Sequence, residues 1–146
     1  MENFQKLMEA AARAREAAYA PYSRFSVGAA LLAGGGKVYT GCNVESAAYT
    51  PTCCAERVAF FKAVSEGERN FTAIAVAGGP QGGPARFCPP CGVCRQVMEE
   101  FCDPASFRVV LLSDGGPKIM LLGELLPFGF GAGELSGTGR DRHADV

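Results

Sequence analysis

Histidine is almost missing from this chain of 146 residues: His143 is its single copy, and it sits in a polar, glycine-rich tail. Any metal site must therefore be built mostly from sulfur. An excess of one charge is missing as well. The formal net charge is −1 and the ten arginines are scattered, so no track for a phosphate backbone is expected and nucleic acid is not an expected partner. Long apolar runs are absent, and the longest uncharged stretches fall well short of a membrane span. Met1–Lys6 is polar with no apolar h-region after it, so no secretory leader is expected.

What the chain does have is cysteine, at positions Cys42, Cys53, Cys54, Cys88, Cys91, Cys94 and Cys102. Seven thiols behind a leaderless start argue against a disulfide framework. They suit a reducing, cytoplasmic setting in which cysteine serves metal binding, catalysis or burial. Apolar residues make up 48% and charged residues 20%, and the length suits one globular domain with a real core.

The pattern alternates after an opening hairpin. Glu2 to about Tyr19 places Phe4, Leu7, Met8, Ala11 and Ala18 near one helical stripe, and Pro21 ends it. Phe25–Leu32 and Lys37–Cys42 flank Ala33-Gly34-Gly35-Gly36 and read as a hairpin. Asn43–Thr52 reads as loop. Cys54 to about Glu66 is a helix with Val58, Phe60, Phe61 and Val64 at helical spacing, stopped by Gly67. Phe71–Gly78 is a strand, 78–90 a Gly/Pro-rich loop and Gly92 to about Cys102 a helix. Phe107–Ser113 is a further strand and Lys118–Leu122 a fifth. The stretch after Gly131 reads as a mobile tail, leaving residues 1–131 as the domain. This alternation predicts an α/β sandwich around one sheet.

Two helix starts carry thiols. Pro90-Cys91-Gly92-Val93-Cys94 is a C-x-x-C where one helix begins, and Cys54 opens another. Helix N-termini expose unpaired N–H groups and positive dipole ends, both of which favour thiolate. Three thiolates on one zinc leave its fourth position open, as a catalytic zinc requires. Glu56 lies two residues after Cys54. At a helix start both side chains reach the space beyond the end, where a carboxylate can move protons. A thioredoxin-like reading of the C-x-x-C lacks its strand-loop-helix context near the N-terminus. Cys88-x-x-Cys91-x-x-Cys94 also has iron–sulfur spacing, but that pattern wants a fourth cysteine followed by proline, and position 98 is Met. From spacing alone, either Cys53 or Cys54 could be the first ligand.

Cys54-Ala55-Glu56-Arg57 and Pro90-Cys91-Gly92-Val93-Cys94-Arg95-Gln96 together resemble the small, homotetrameric cytidine deaminases. The zinc-deaminase pattern, with its three-cysteine form and a Glu that is not a ligand, is a known motif. Three further blocks resemble the same family in order: 20–31 (APYSRFSVGAAL), Gly41-Cys42-Asn43-Val44-Glu45, and Glu124-Leu125-Leu126-Pro127 with Phe130. The match covers roughly residues 3 to 130. It implies a three-layer α/β/α sandwich around a mixed five-stranded sheet and one zinc per chain. The activity it implies is hydrolytic deamination of cytidine and 2′-deoxycytidine with release of ammonia, a step of pyrimidine salvage.

The resemblance also assigns residues. Cys54, Cys91 and Cys94 are the implied zinc ligands, the Cys-Ala-Glu match deciding for Cys54 over Cys53, and Glu56 is the proton carrier. Arg57 is the cation implied to hydrogen-bond the sulfurs and offset three thiolate charges. Asn43 and Glu45 are implied ribose ligands, and Phe25 a ring beside the pyrimidine. The Ala55 backbone is the implied partner of the base's polar atoms. Tyr49 and Phe130 are the residues implied to act across subunits. Cys42, Cys53, Cys88 and Cys102 read as ordinary thiols, and His143 is assigned no role. A deaminase of a modified cytosine nucleoside, such as the blasticidin type, is the nearest alternative. It shares the metal blocks but lacks this combination of Phe25 with Asn43-Val44-Glu45. A zinc-stabilised binding module would have no use for Glu56 beside an open ligand position.

Overall fold

The computed structural model describes residues 3–137, so His143 lies outside the described residues. The first helix, α1 (Phe4–Ala14), starts at Asn3, whose side chain accepts from the Lys6 amide at 3.2 Å. A 3₁₀ turn over Arg15–Ala17 follows, so the helical stretch stops a little short of Tyr19. Leu7, Met8 and Ala11 form its buried face, as the spacing predicts. The hairpin is β1 (Phe25–Ala33) and β2 (Val38–Cys42), turned at Gly36 with φ of 95°. Next come α2 (Ala55–Ser65), β3 (Phe71–Pro80), α3 (Gly92–Phe101), β4 (Arg108–Ser113) and β5 (Gly116–Leu121). Two short helices, α4 (Leu122–Leu125) and α5 (Ala132–Ser136), close the described chain. The stretch expected as a tail thus begins with a helical turn, its Gly131 amide held by the Glu134 carboxylate at 2.7 Å.

The five strands form one sheet in the order β2-β1-β3-β4-β5. Only β3 and β4 run parallel, so the sheet is mixed. Alternation along the strands splits the core in two. Ala29, Leu31, Ile74, Val76, Val109 and Leu111 face α2 and α3. Ala30, Ala73, Ala75, Ala77 and Val110 face α1. That is the expected three-layer α/β/α sandwich. The layers approach closely because small residues meet. A Cβ at Gly28 would lie 2.0 Å from the Ala11 carbonyl oxygen of α1, and one at Gly41 would lie 2.4 Å from the Ala55 carbonyl oxygen of α2.

On α2 the buried face differs from the expected one. Ala55, Glu56, Ala59, Phe60 and Ala63 point inward, while Phe61 is 48% exposed. Three alanines one turn apart let the helix settle onto Gly41. A row of larger side chains would hold it off.

Candidate active site and metal centre

Strand β2 delivers the chain into a loop that ends at the N-terminus of α2, and α3 begins beside it. Cys54 and Cys91 are the residues immediately before these helices, both with extended backbone (ψ of 155° and 166°). Cys94 lies one turn into α3 and is buried, whereas Cys91 is exposed. Cys54 Sγ lies 3.7 Å from Cys91 Sγ, and Cys91 Sγ lies 3.6 Å from Cys94 Sγ. The three sulfurs fall within 4.8 Å of one another. Tetrahedral zinc with bonds of about 2.3 Å holds its sulfurs roughly 3.8 Å apart, so the donor set fits one zinc ion. Cys53, the rival from spacing, is absent from this cluster.

Glu56, nearly fully buried at the first turn of α2, accepts from Cys94 Sγ at 3.3 Å. Burial pushes its carboxyl above the usual carboxylate range, and the neighbouring Cys54 adds to the effect. Arg57 Nη2 donates to Cys54 Sγ at 3.5 Å and to the Thr52 carbonyl at 3.4 Å. Although burial works against its charge, the bonds to Cys54 and Cys94 hold the guanidinium protonated. The Cys94 hydrogen bond, against the opposing cost of burial, together with Arg57 and Cys91, draws the Cys54 thiol down to about 5. Cys94, beside Cys54 and also buried, moves the other way. Burial pushes Cys88 up to about 11 and raises Cys53 and Cys102, consistent with ordinary thiols.

Asn43 is buried between the strands: its Oδ1 accepts from the Val27 amide and its Nδ2 donates to the Phe25 carbonyl, each at 2.8 Å. It thereby fixes the start of β1, where Phe25 stands half-buried. Glu45 Oε1 accepts from the amides of Tyr22 and Ser23 at 3.0 and 3.1 Å. Hydrogen bonds from Ser23 and then Tyr22 hold its carboxyl below the usual range. Glu45 lines a cleft of about 430 Å³ with Tyr22, Ser23, Ser46, Tyr49 and Thr52. Ala55 is fully buried at the first position of α2. Tyr49, at φ of 62°, is 76% exposed, and Phe130 is 58% exposed. A larger cavity of about 620 Å³ lies between α1 and the hairpin and contains none of these residues, so size alone does not mark the chemistry.

Three arginine and glutamine side chains found no role in the sequence. Arg95 donates to the Pro90 carbonyl at 2.8 Å and the Leu125 carbonyl at 2.6 Å, tying the approach to Cys91 to α4. Gln96 donates to the Phe130 carbonyl at 2.6 Å. Both follow Cys94 directly in the motif, which was the available signal. Arg15 donates to the carbonyls of Ser26, Pro80 and Gly83, and nothing local announces it.

The family model for the cytidine and deoxycytidylate deaminase zinc-binding region matches residues 1–110. A cytidine deaminase of Sporosarcina psychrophila is 49% identical over 133 residues, 90% of this chain and 94% of that protein. One from Halalkalibacterium halodurans is 50% identical over 133 residues, 90% and 97% of the two. The crystal structure of cytidine deaminase from Burkholderia pseudomallei aligns with TM-score 0.79 at 48% identity, covering 89% of this chain and 100% of that one. Sequence identity, shared fold and the three-thiol centre converge on one assignment: the chain belongs to the cytidine deaminase family.

Proposed function

We propose that this protein hydrolyses cytidine and 2′-deoxycytidine to uridine and 2′-deoxyuridine with release of ammonia, with residues 1–131 as the catalytic unit. The observation that carries the proposal is a buried carboxyl, Glu56, 3.3 Å from one thiol of a three-sulfur cluster in a chain of this family. Cys54, Cys91 and Cys94 would hold the zinc. When bound, it supplies the Lewis acidity that makes water a nucleophile near neutral pH.

Glu56 does the proton work. As the water oxygen bonds to C4 of the base, Glu56 takes the first water proton and passes it to N3. It then takes the second proton and gives it to the exocyclic amine. The C4–N bond breaks with its electron pair leaving on ammonia, and the C4 carbonyl forms. The raised carboxyl pKa suits a group that must both hold and release a proton. Arg57 balances the thiolate charge, keeping the metal electrophilic.

The remaining contacts place the nucleoside. Glu45, whose Oε1 accepts from two backbone amides, would meet the ribose hydroxyls together with the Asn43 amide. Phe25 gives an apolar face to the pyrimidine, and the Ala55 backbone meets its polar atoms. Tyr49 and Phe130, both exposed here, act across subunits of a homotetramer. The free thiols support a reducing, cytoplasmic setting. The test is an ultraviolet assay of purified protein with cytidine, 2′-deoxycytidine and blasticidin S side by side. Turnover of the first two, with about one zinc per chain and loss of activity on metal removal, is expected. Full activity without metal, or turnover of blasticidin S alone, would overturn the reading.

A further inference from the structure

Strand β3 ends in Gly78-Gly79-Pro80, and the chain then folds back on the strand it has just left. The Arg86 amide donates to the Gly78 carbonyl at 2.8 Å, an isolated antiparallel bridge. Both glycines are needed for that return. A Cβ at Gly78 would lie 2.5 Å from Cys88 Sγ, and one at Gly79 would lie 2.4 Å from the Pro84 carbonyl oxygen. Arg15, at the end of α1, clamps the turn from outside. Its guanidinium donates to the Pro80 carbonyl at 2.7 Å, the Gly83 carbonyl at 3.0 Å and the Ser26 carbonyl at 2.8 Å. The Gln81 amide adds a bond to the Arg24 carbonyl at 2.7 Å. The returning loop is therefore held from three sides and sits over the first residues of β1, where Phe25 pairs with Pro80.

That arrangement sets the Arg86 guanidinium over the Phe25 ring, 5.5 Å from its centroid. A guanidinium within about 6 Å of an aromatic face is attracted to it. The Asn43 side chain bonds the Phe25 carbonyl, so backbone and ring of Phe25 are fixed by different partners. The same loop runs on through Cys88 and Pro90 to Cys91, one of the three sulfur donors.

We propose that Arg86 is a positioning residue for substrate binding: it pins the Phe25 ring from one face so that the other face is presented to the pyrimidine. The inference rests on the reading of Phe25 as a substrate contact. Arg86 touches no reacting atom, so its loss should act on substrate affinity and spare the proton transfers.

The experiment is a double-mutant cycle on the zinc-loaded enzyme with cytidine as substrate. Arg86→Ala should raise KM about three- to tenfold with kcat within about twofold, the range expected from losing one cation–aromatic contact. Arg86→Lys should recover part of the affinity, and Arg86→Met, which keeps the aliphatic stem without the charge, should not. In a Phe25→Leu background the Arg86→Ala change should have no further effect on KM. Zinc content and thermal midpoint, measured for each variant, separate this from loss of fold. Should Arg86→Ala lower the midpoint or zinc content, the Lys and Met pair decides, since both retain the stem. Equal KM in those two variants, or an undiminished Arg86→Ala effect without the Phe25 ring, would overturn the positioning role. Unchanged KM in Phe25→Leu itself would instead remove Phe25 from the substrate site, and the inference with it.

Discussion

At the residue scale, the site turns on where one carboxyl and three sulfurs sit relative to two helix ends. Glu56 is buried and its Oε2 meets a sulfur, an unfavourable place for a carboxylate unless it has a chemical task. Glu56→Ala should keep the zinc and the fold and reduce kcat at least about a hundredfold, the ordinary worth of a positioned acid–base group. Metal analysis alongside steady-state kinetics checks this; activity within a factor of ten of the parent would remove Glu56 from the proton path. The motif letters announced this cluster because its members fall within a few positions of each other in two short segments. What they did not announce is the support. Arg15 reaches carbonyls 65 and 68 positions away, and Arg86 meets Phe25 through a folded loop, contacts that no local spacing encodes.

At the scale of elements, periodicity placed the five strands and three principal helices to within a few residues, because each is long enough to show its period. The short helices α4 and α5 are too brief for that: Leu122, which opens α4, reads as the end of the fifth strand, and the α5 stretch reads as tail. The inward face of α2 departs from the sequence expectation for a different reason. Large apolar residues draw the eye to Phe61, but the helix packs through Ala55, Ala59 and Ala63, whose value lies in how little room they take. The same economy governs α1. Gly28→Ala would drive a methyl to 2.0 Å from the Ala11 carbonyl oxygen and 2.4 Å from the Arg15 amide, both backbone atoms that cannot rotate aside. We expect that substitution to cost about 2 kcal/mol through displacement of α1. Denaturant unfolding measures it; a loss under about 0.5 kcal/mol would mean the layers separate more easily than their contacts imply.

For the whole molecule, Tyr49 and Phe130 stand among the exposed aromatic side chains of the described surface. A homotetramer, as proposed above, would cover them. Sedimentation should find a species of about four times the 15.3 kDa chain mass, and Phe130→Ala should raise KM in an assembly that still binds zinc. A fully active single chain at assay concentration would exclude any subunit-sharing role. The sulfur cluster has one more consequence, in polymer terms. Cys54 and Cys91 stand 37 positions apart, with α2 and all of β3 between them, so an ion joining them ties the chain into a ring. Fastening a loop of that size removes chain entropy from the unfolded state on the order of 4 kcal/mol. Such an ion would then also be a knot in the thread, and stripping it with a chelator should lower the melting midpoint of even a Glu56→Ala enzyme whose turnover is already largely lost.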